Sequence, residues 1–168
     1  MNRYNSLLKA LSVIDITAPI FAGKAAGGIE LGSTFQDLIE VIERITYRRF
    51  DEECRGFMSN FSVWYNLHNY ITLEFSLLSG ILTTIRLYPD YKGKYEGVIE
   101  VGQTTIEEAG LLLNKEIEFD NTFEYHKITG TEGIYFRMNQ TLYNDSYPLN
   151  HVKQKIGVIA ITLDSVWR

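Results

Sequence analysis

The 168-residue chain holds one cysteine, three histidines and three prolines, and each scarcity closes off a class of protein. A single thiol, Cys54, forms no internal disulfide, which excludes a secreted, disulfide-stapled scaffold. His68, His126 and His151 are too far apart for two of them to share a helix or hairpin at metal-ligand spacing. Zinc chemistry needs more sulfur or imidazole than this chain offers. Cys54 lies within Asp51-Glu52-Glu53-Cys54-Arg55, where neighbouring carboxylates disfavour a thiolate nucleophile. No apolar run approaches the length of a membrane span, and Lys9 and Asp15 interrupt the apolar stretch a signal peptide would need. The expected location is therefore the cytoplasm.

Basic residues are also in deficit, 16 against 21 acids, giving a net charge of −5. An acidic chain is repelled by phosphate, so neither nucleic acid nor an anionic membrane is an expected partner. The local basic cluster Arg44, Arg48 and Arg49 ends a predicted helix, where cations complement the helix C-terminus. The stretch Gly23-Lys24-Ala25-Ala26-Gly27-Gly28 lacks the spacing of a phosphate loop and precedes a strand rather than a helix. No cofactor and no catalytic set is expected. Glu116 and Glu118 share one side of a predicted strand, but without partner groups they read as a solvated strand face.

What remains is ordinary for one folded domain over 1–168: 45% apolar and 22% charged residues. Two segments seventy residues apart look alike. Gly28-Ile29-Glu30-Leu31-Gly32-Ser33-Thr34-Phe35-Gln36-Asp37 is echoed by Val98-Ile99-Glu100-Val101-Gly102-Gln103-Thr104-Thr105-Ile106-Glu107. In each, an alternating apolar pair buries one face of an extended segment and a glycine allows a sharp turn. Thr34 or Thr104 then caps a helix, with Asp37 or Glu107 at the third helical position. Ser33 with Gln36 is an alternative first cap. The periodicity predicts helices over 34–45 and 104–113, with Asn114 as a stop and Gly110 as a place where a strand can pack closely. Strand-like runs follow each helix, at 63–67, 71–77 and 81–87, then at 116–119, 123–128, 134–138 and 156–163. Gly80-Ile81-Leu82 and Gly157-Val158-Ile159 open the last strand of each half, and 88–97 reads as the linker. The fold expected is α+β, a tandem duplication of a helix packed on antiparallel strands, with half-repeats at about 26–88 and 97–164.

Charge and aromatics point to a partner surface. Residues 96–124 carry eight acids against only Lys115, and the chain has eleven tyrosines. Tyrosine is enriched where surfaces recognise partners, although half-exposed strands use it as well. Glu116, Glu118, Asp120 and Glu124, with Tyr143 and Tyr147 from the polar stretch 141–152, are the candidate partner-binding residues. An acidic edge that discourages strand-to-strand aggregation explains the same acids without a partner.

The glycine–threonine helix cap followed by antiparallel strands, occurring twice, resembles the tandem repeat of the beta-lactamase inhibitor protein family. That resemblance implies a duplicated helix-plus-sheet architecture whose sheet surface carries a protein partner; a lone cysteine departs from the disulfide pairs of secreted members. Small size, acidity, tyrosine richness and the lack of catalytic residues are similar to bacterial immunity proteins of contact-dependent growth inhibition and polymorphic toxin systems. This second resemblance implies a cytoplasmic, non-enzymatic antitoxin that binds a cognate toxin C-terminal domain and occludes its active site. A basic nuclease toxin would suit an acidic inhibitor. The alternatives are a small enzyme or ligand-binding domain that uses the sheet concavity, and a subunit of a homo-oligomer.

Overall fold

The computed structural model describes residues 14–46, 54–59, 61–67, 69–138 and 153–163. In chain order the elements are β1 (Ala25–Ala26), β2 (Ile29–Glu30), α1 (Ile39–Thr46), β3 (Cys54–Met58), β4 (Ser62–Leu67), β5 (Ile71–Ser76) and β6 (Leu82–Leu87), then α2 (Ile106–Leu113), β7 (Ile117–Asp120), β8 (Tyr125–Ile128), β9 (Ile134–Met138) and β10 (Ile156–Thr162). β1 and β2 form a hairpin closed by Gly27 and Gly28, both at positive φ, the conformation a two-residue hairpin turn demands. The glycine-rich stretch is thus a short strand, β1, flanked by turns.

Strict alternation gives the other strands two faces. Ile71, Leu73 and Phe75 of β5 are buried, while Thr72, Glu74 and Ser76 point the other way. Their cross-strand partners repeat the pattern, and eight strands join into one antiparallel sheet ordered β3-β4-β5-β6-β10-β9-β8-β7. Each helix precedes a four-strand meander, and the two meanders meet where β6 pairs with β10. At that seam Ile85 faces Ile161 and Leu87 faces Ile159, all fully buried. The class is α+β with strand in the majority.

One core lies on the inward face. Val41 and Ile42 of α1, Ile106 and Ala109 of α2, Ile29 of the hairpin, and Tyr91, Tyr95, Ile99 and Val101 of the connection between the halves all enter it. The predicted linker is therefore a packed segment. Tyr91 is fully buried; its hydroxyl donates to Ala18 O at 2.6 Å and accepts from Gly27 N–H at 2.8 Å, and burial pushes its pKa up to about 12.

Several boundaries differ from the sequence reading. Regular helix begins at Ile39, because residues 35–38 form a turn headed by Thr34 and Asp37. Thr34 N–H donates to Asp37 Oδ2 at 2.8 Å and Asp37 N–H donates to Thr34 Oγ1 at 3.2 Å, so the pair caps this turn and not the helix itself, whose first residue comes after both. The second cap is Thr105 with Glu108, one residue later than expected. Thr104 is buried, and its hydroxyl accepts from Glu100 N–H at 3.0 Å. Asn114 does end α2, in the left-handed conformation at φ 50. A Cβ on Gly110 would lie 3.2 Å from Lys115 O and 3.8 Å from Ile117, so the chain entering β7 does pack against it. β3 was not anticipated.

Candidate binding surface

Opposite the core, the sheet presents a second set of side chains in register. One row runs Asn66, Thr72, Arg86, Ala160, Tyr135, Lys127 and Glu118 from β4 to β7. Val41, Ile42, Ile106, Ala109, Tyr91 and Ile99 belong instead to the core cluster with Leu73, Ile85 and Ile161.

Four of the anticipated acids gather at the β7 end. Glu118, central in β7, lies 3.2 Å from Lys127 Nζ and accepts from Thr129 Oγ1 at 3.1 Å. The Lys127 hydrogen bond, then that of Thr129, holds its carboxyl below the usual value. Asp120 Oδ1 accepts from the N–H groups of Thr122 at 2.9 Å and Phe123 at 3.3 Å, closing the turn into β8. Glu124 sits in that turn at φ 55 and lies 3.7 Å from Arg137 Nη2. Glu116 is exposed just ahead of β7, and its carbonyl accepts from Thr129 N–H at 2.9 Å. The acid run is thus interleaved with Lys127 and Arg137 rather than presented as a bare negative face. Tyr143 and Tyr147 lie outside the described residues.

The structure adds residues that the sequence reading passed over. Phe123 stacks on Tyr125 with centroids 5.8 Å apart, and Tyr125 packs against Tyr135 at 4.4 Å. Burial, then Tyr135 and Asp120, pushes the Tyr125 hydroxyl above its ordinary pKa. The signal was available: Ile134 and Phe136 are core residues, so alternation sends Tyr135 outward, and likewise Lys127 between His126 and Ile128.

The remaining candidates are scattered. His126 is buried on the inward side against Phe119, 4.8 Å between centroids. Cys54 begins β3, and His68 and His151 lie outside the described residues. Among the described residues, no three His, Cys, Asp or Glu side chains converge as a metal site, and no helix is long and apolar enough to cross a membrane. A groove of about 450 Å³ beside α2 is lined by Val98, Leu111 and Leu112 and spanned by the Lys94–Glu100 ion pair at 3.5 Å. The chain matches no protein-family model, no curated protein and no solved structure.

Proposed function

We propose that this protein is a non-enzymatic binding and inhibitory protein: a cytoplasmic immunity protein that engages a cognate toxin domain and occludes its active site. The observation that carries the reading is the β7–β9 end of the outward face. There the Phe123–Tyr125–Tyr135 ring group is bordered by Glu118, Asp120 and Glu124 and by Lys127 and Arg137. Aromatic and arginine side chains surrounded by paired charge are the chemistry of interface hot spots. The acids would steer a basic partner and set its register.

A tandem duplication accounts for the architecture in this reading, as the resemblance to the beta-lactamase inhibitor protein family implies. It is supported by the repeated order of helix and four strands and by the hydrogen bonds at each repeat start. Gly32 N–H donates to Leu82 O and Gly102 N–H to Ile156 O, each acceptor being the first residue of the half's last strand.

The test is binding kinetics against a toxin domain captured from the native organism as a stoichiometric complex. The triple reversal Glu116→Lys, Glu118→Lys and Asp120→Lys should slow association at least tenfold, and wild-type association should fall steeply with salt. Tyr135→Ala should speed dissociation. Unchanged rates in all three experiments would place the interface elsewhere and remove the support for this reading.

A further inference from the structure

At the β3–β6 end of the sheet the apolar pattern of the core face runs on past the residues that cover it. On that face Tyr65 pairs with Leu73 and Val63 with Phe75, and Phe35 lies over Tyr65 and Phe75, 5.7 Å from each ring centroid. One step further along, Leu77 N–H donates to Phe61 O at 2.9 Å, so Phe61 and Leu77 come next in the same row. Met58 faces Val63 across the β3–β4 pair. This end is open: Met58, Phe61, Leu77 and Leu78 are 77%, 72%, 47% and 88% exposed. Apolar side chains exposed singly are ordinary, but these lie on two adjoining turns and form a patch of the kind that marks an interaction surface.

The chain around this patch carries almost no charge. Residues 56–85 hold one formal charge, Glu74, and Arg86 pairs with it at 2.7 Å. The other surfaces described above differ. Val98, Leu111 and Leu112 beside α2 share their groove with Glu100 and Glu108. The β7 end sets Glu116, Glu118, Asp120 and Glu124 against Lys127 and Arg137.

We propose that the Met58–Phe61–Leu77–Leu78 patch is a contact between two copies of the chain, related by a twofold axis. A twofold contact sets a patch against itself, so any net charge on it meets the same charge. Copies of a chain with net charge −5 repel one another, and at the α2 groove and the β7 end acids would face acids. At the uncharged patch that local repulsion is absent, and apolar surface leaves water on both sides. Charged partners fit it less well. A basic protein finds no ion-pair partner there. An anionic bilayer finds no lysine or arginine in 56–85 to hold its headgroups. The surface that matches an uncharged apolar patch is the same patch on a second copy. β4 and β8 are five places apart in the sheet, about 24 Å, so the contact leaves the β7–β9 surface free. The inference stands or falls independently of toxin binding.

The experiment is analytical ultracentrifugation of the intact protein from about 5 µM to about 500 µM. The mass should rise from the 19.3 kDa of one chain toward twice that value, with a Kd of about 100 µM or tighter. Added sodium chloride should not weaken the association, because no ion pair holds the contact and salt screens the repulsion between copies. Leu78→Asp and Phe61→Asp place like charges across the axis, and each should weaken association by about tenfold or more. Leu111→Asp, at a side chain 76% exposed beside α2, should leave it unchanged. A chain that stays monomeric over the whole range overturns the proposal. So does a dimer that dissociates with salt, that survives unchanged in both folded patch variants, or that Leu111→Asp breaks as readily. Flotation with phosphatidylcholine vesicles separates the remaining occupant: a monomer that floats, and no longer does so as Leu78→Asp, makes the patch a lipid contact instead. Should Phe61→Asp fail to fold, Leu78→Asp alone decides.

Discussion

In the first half Gly32 turns the chain into open space; in the second, Gly102 makes the corresponding turn against the ring of Pro89. Their φ angles are 85° and 79°, and a Cβ would meet nothing within 4 Å at Gly32 but Pro89 Cβ at 2.7 Å at Gly102. The hydrogen bonds nevertheless correspond. Leu82 N–H returns to Ser33 O and Ile156 N–H to Thr104 O, at 2.8 and 2.9 Å. Phe35 N–H and Ile106 N–H then donate to Gly80 O and Gln154 O. The second half fits one extra residue between the glycine and its capping threonine. The two halves therefore keep a backbone frame while their packing diverges, and the divergence continues on the outward face. The first half sets Trp64, Glu74 and Thr84 there; the second sets Tyr125, Tyr135 and paired charges.

The sharpest break of this comparison is at the seam. Ile85 and Ile161 are opposite one another and 0% exposed, so the halves should behave as one cooperative unit. Ile85→Ala and Ile161→Ala should each cost about 2–5 kcal/mol by chemical denaturation. The double variant should depart from additivity by about 0.5 kcal/mol or more, as neighbours do. Two separated unfolding transitions in the wild type would show instead that the halves are independent bodies that merely share an edge.

The glycines come next. Gly102→Ala meets both a left-handed backbone and a rigid proline ring, and should cost about 2–4 kcal/mol. Gly32→Ala meets the backbone penalty alone, about 1 kcal/mol. Equal losses in thermal or chemical unfolding would mean that Pro89 yields, and that the two turns differ less than their surroundings suggest.

How far these features were legible depends on the range of the physics behind them. Alternation is local, so 134–138 was read to the residue, and the other strands after each helix, β3 excepted, were read to within two. Asn114 was legible for the same reason: a short polar side chain tolerates the left-handed stop. β3 carries no alternating signal, since its CRGFM sequence has glycine at its centre and an arginine beside it. The second cap was misplaced by one because Thr104 and Thr105 are equivalent until tertiary structure buries the first. Residues 88–97, rich in glycine and charge, read as a linker because Tyr91 finds its two hydrogen-bond partners 64 and 73 positions away. At the candidate surface the acids were visible as a run. Their pairing with Lys127 and Arg137 was not, because it depends on the β7–β8 register and on a turn residue, Glu124, at positive φ.

The smallest effect separates the two caps. Thr105 and Glu108 satisfy each other's backbone N–H at 3.1 and 2.8 Å at the start of regular helix, whereas Thr34 and Asp37 head a turn. Thr105→Ala should therefore cost about 1 kcal/mol at pH 7, and Thr34→Ala less. The acids add a pH signature. Glu108 is held below its ordinary pKa first by the Thr105 backbone hydrogen bond and then by the Thr105 side chain; Asp37 is held down first by the Thr34 hydroxyl and then by its backbone. A carboxyl whose pKa is lowered on folding stabilises the native state fully above its unfolded pKa. It loses that contribution as pH falls through the folded value, because the unfolded chain takes up the proton first. Both caps should thus be intact at neutral pH and weaken below the usual carboxylate range, near pH 4. Glu108→Gln keeps a hydrogen-bonding side chain without the ionisation, so stability measured by urea unfolding should slope less steeply between about pH 5 and pH 3 than in the wild type. An identical slope would mean that Glu108 does not hold its proton equilibrium through Thr105, and the two helix starts would then differ in geometry alone.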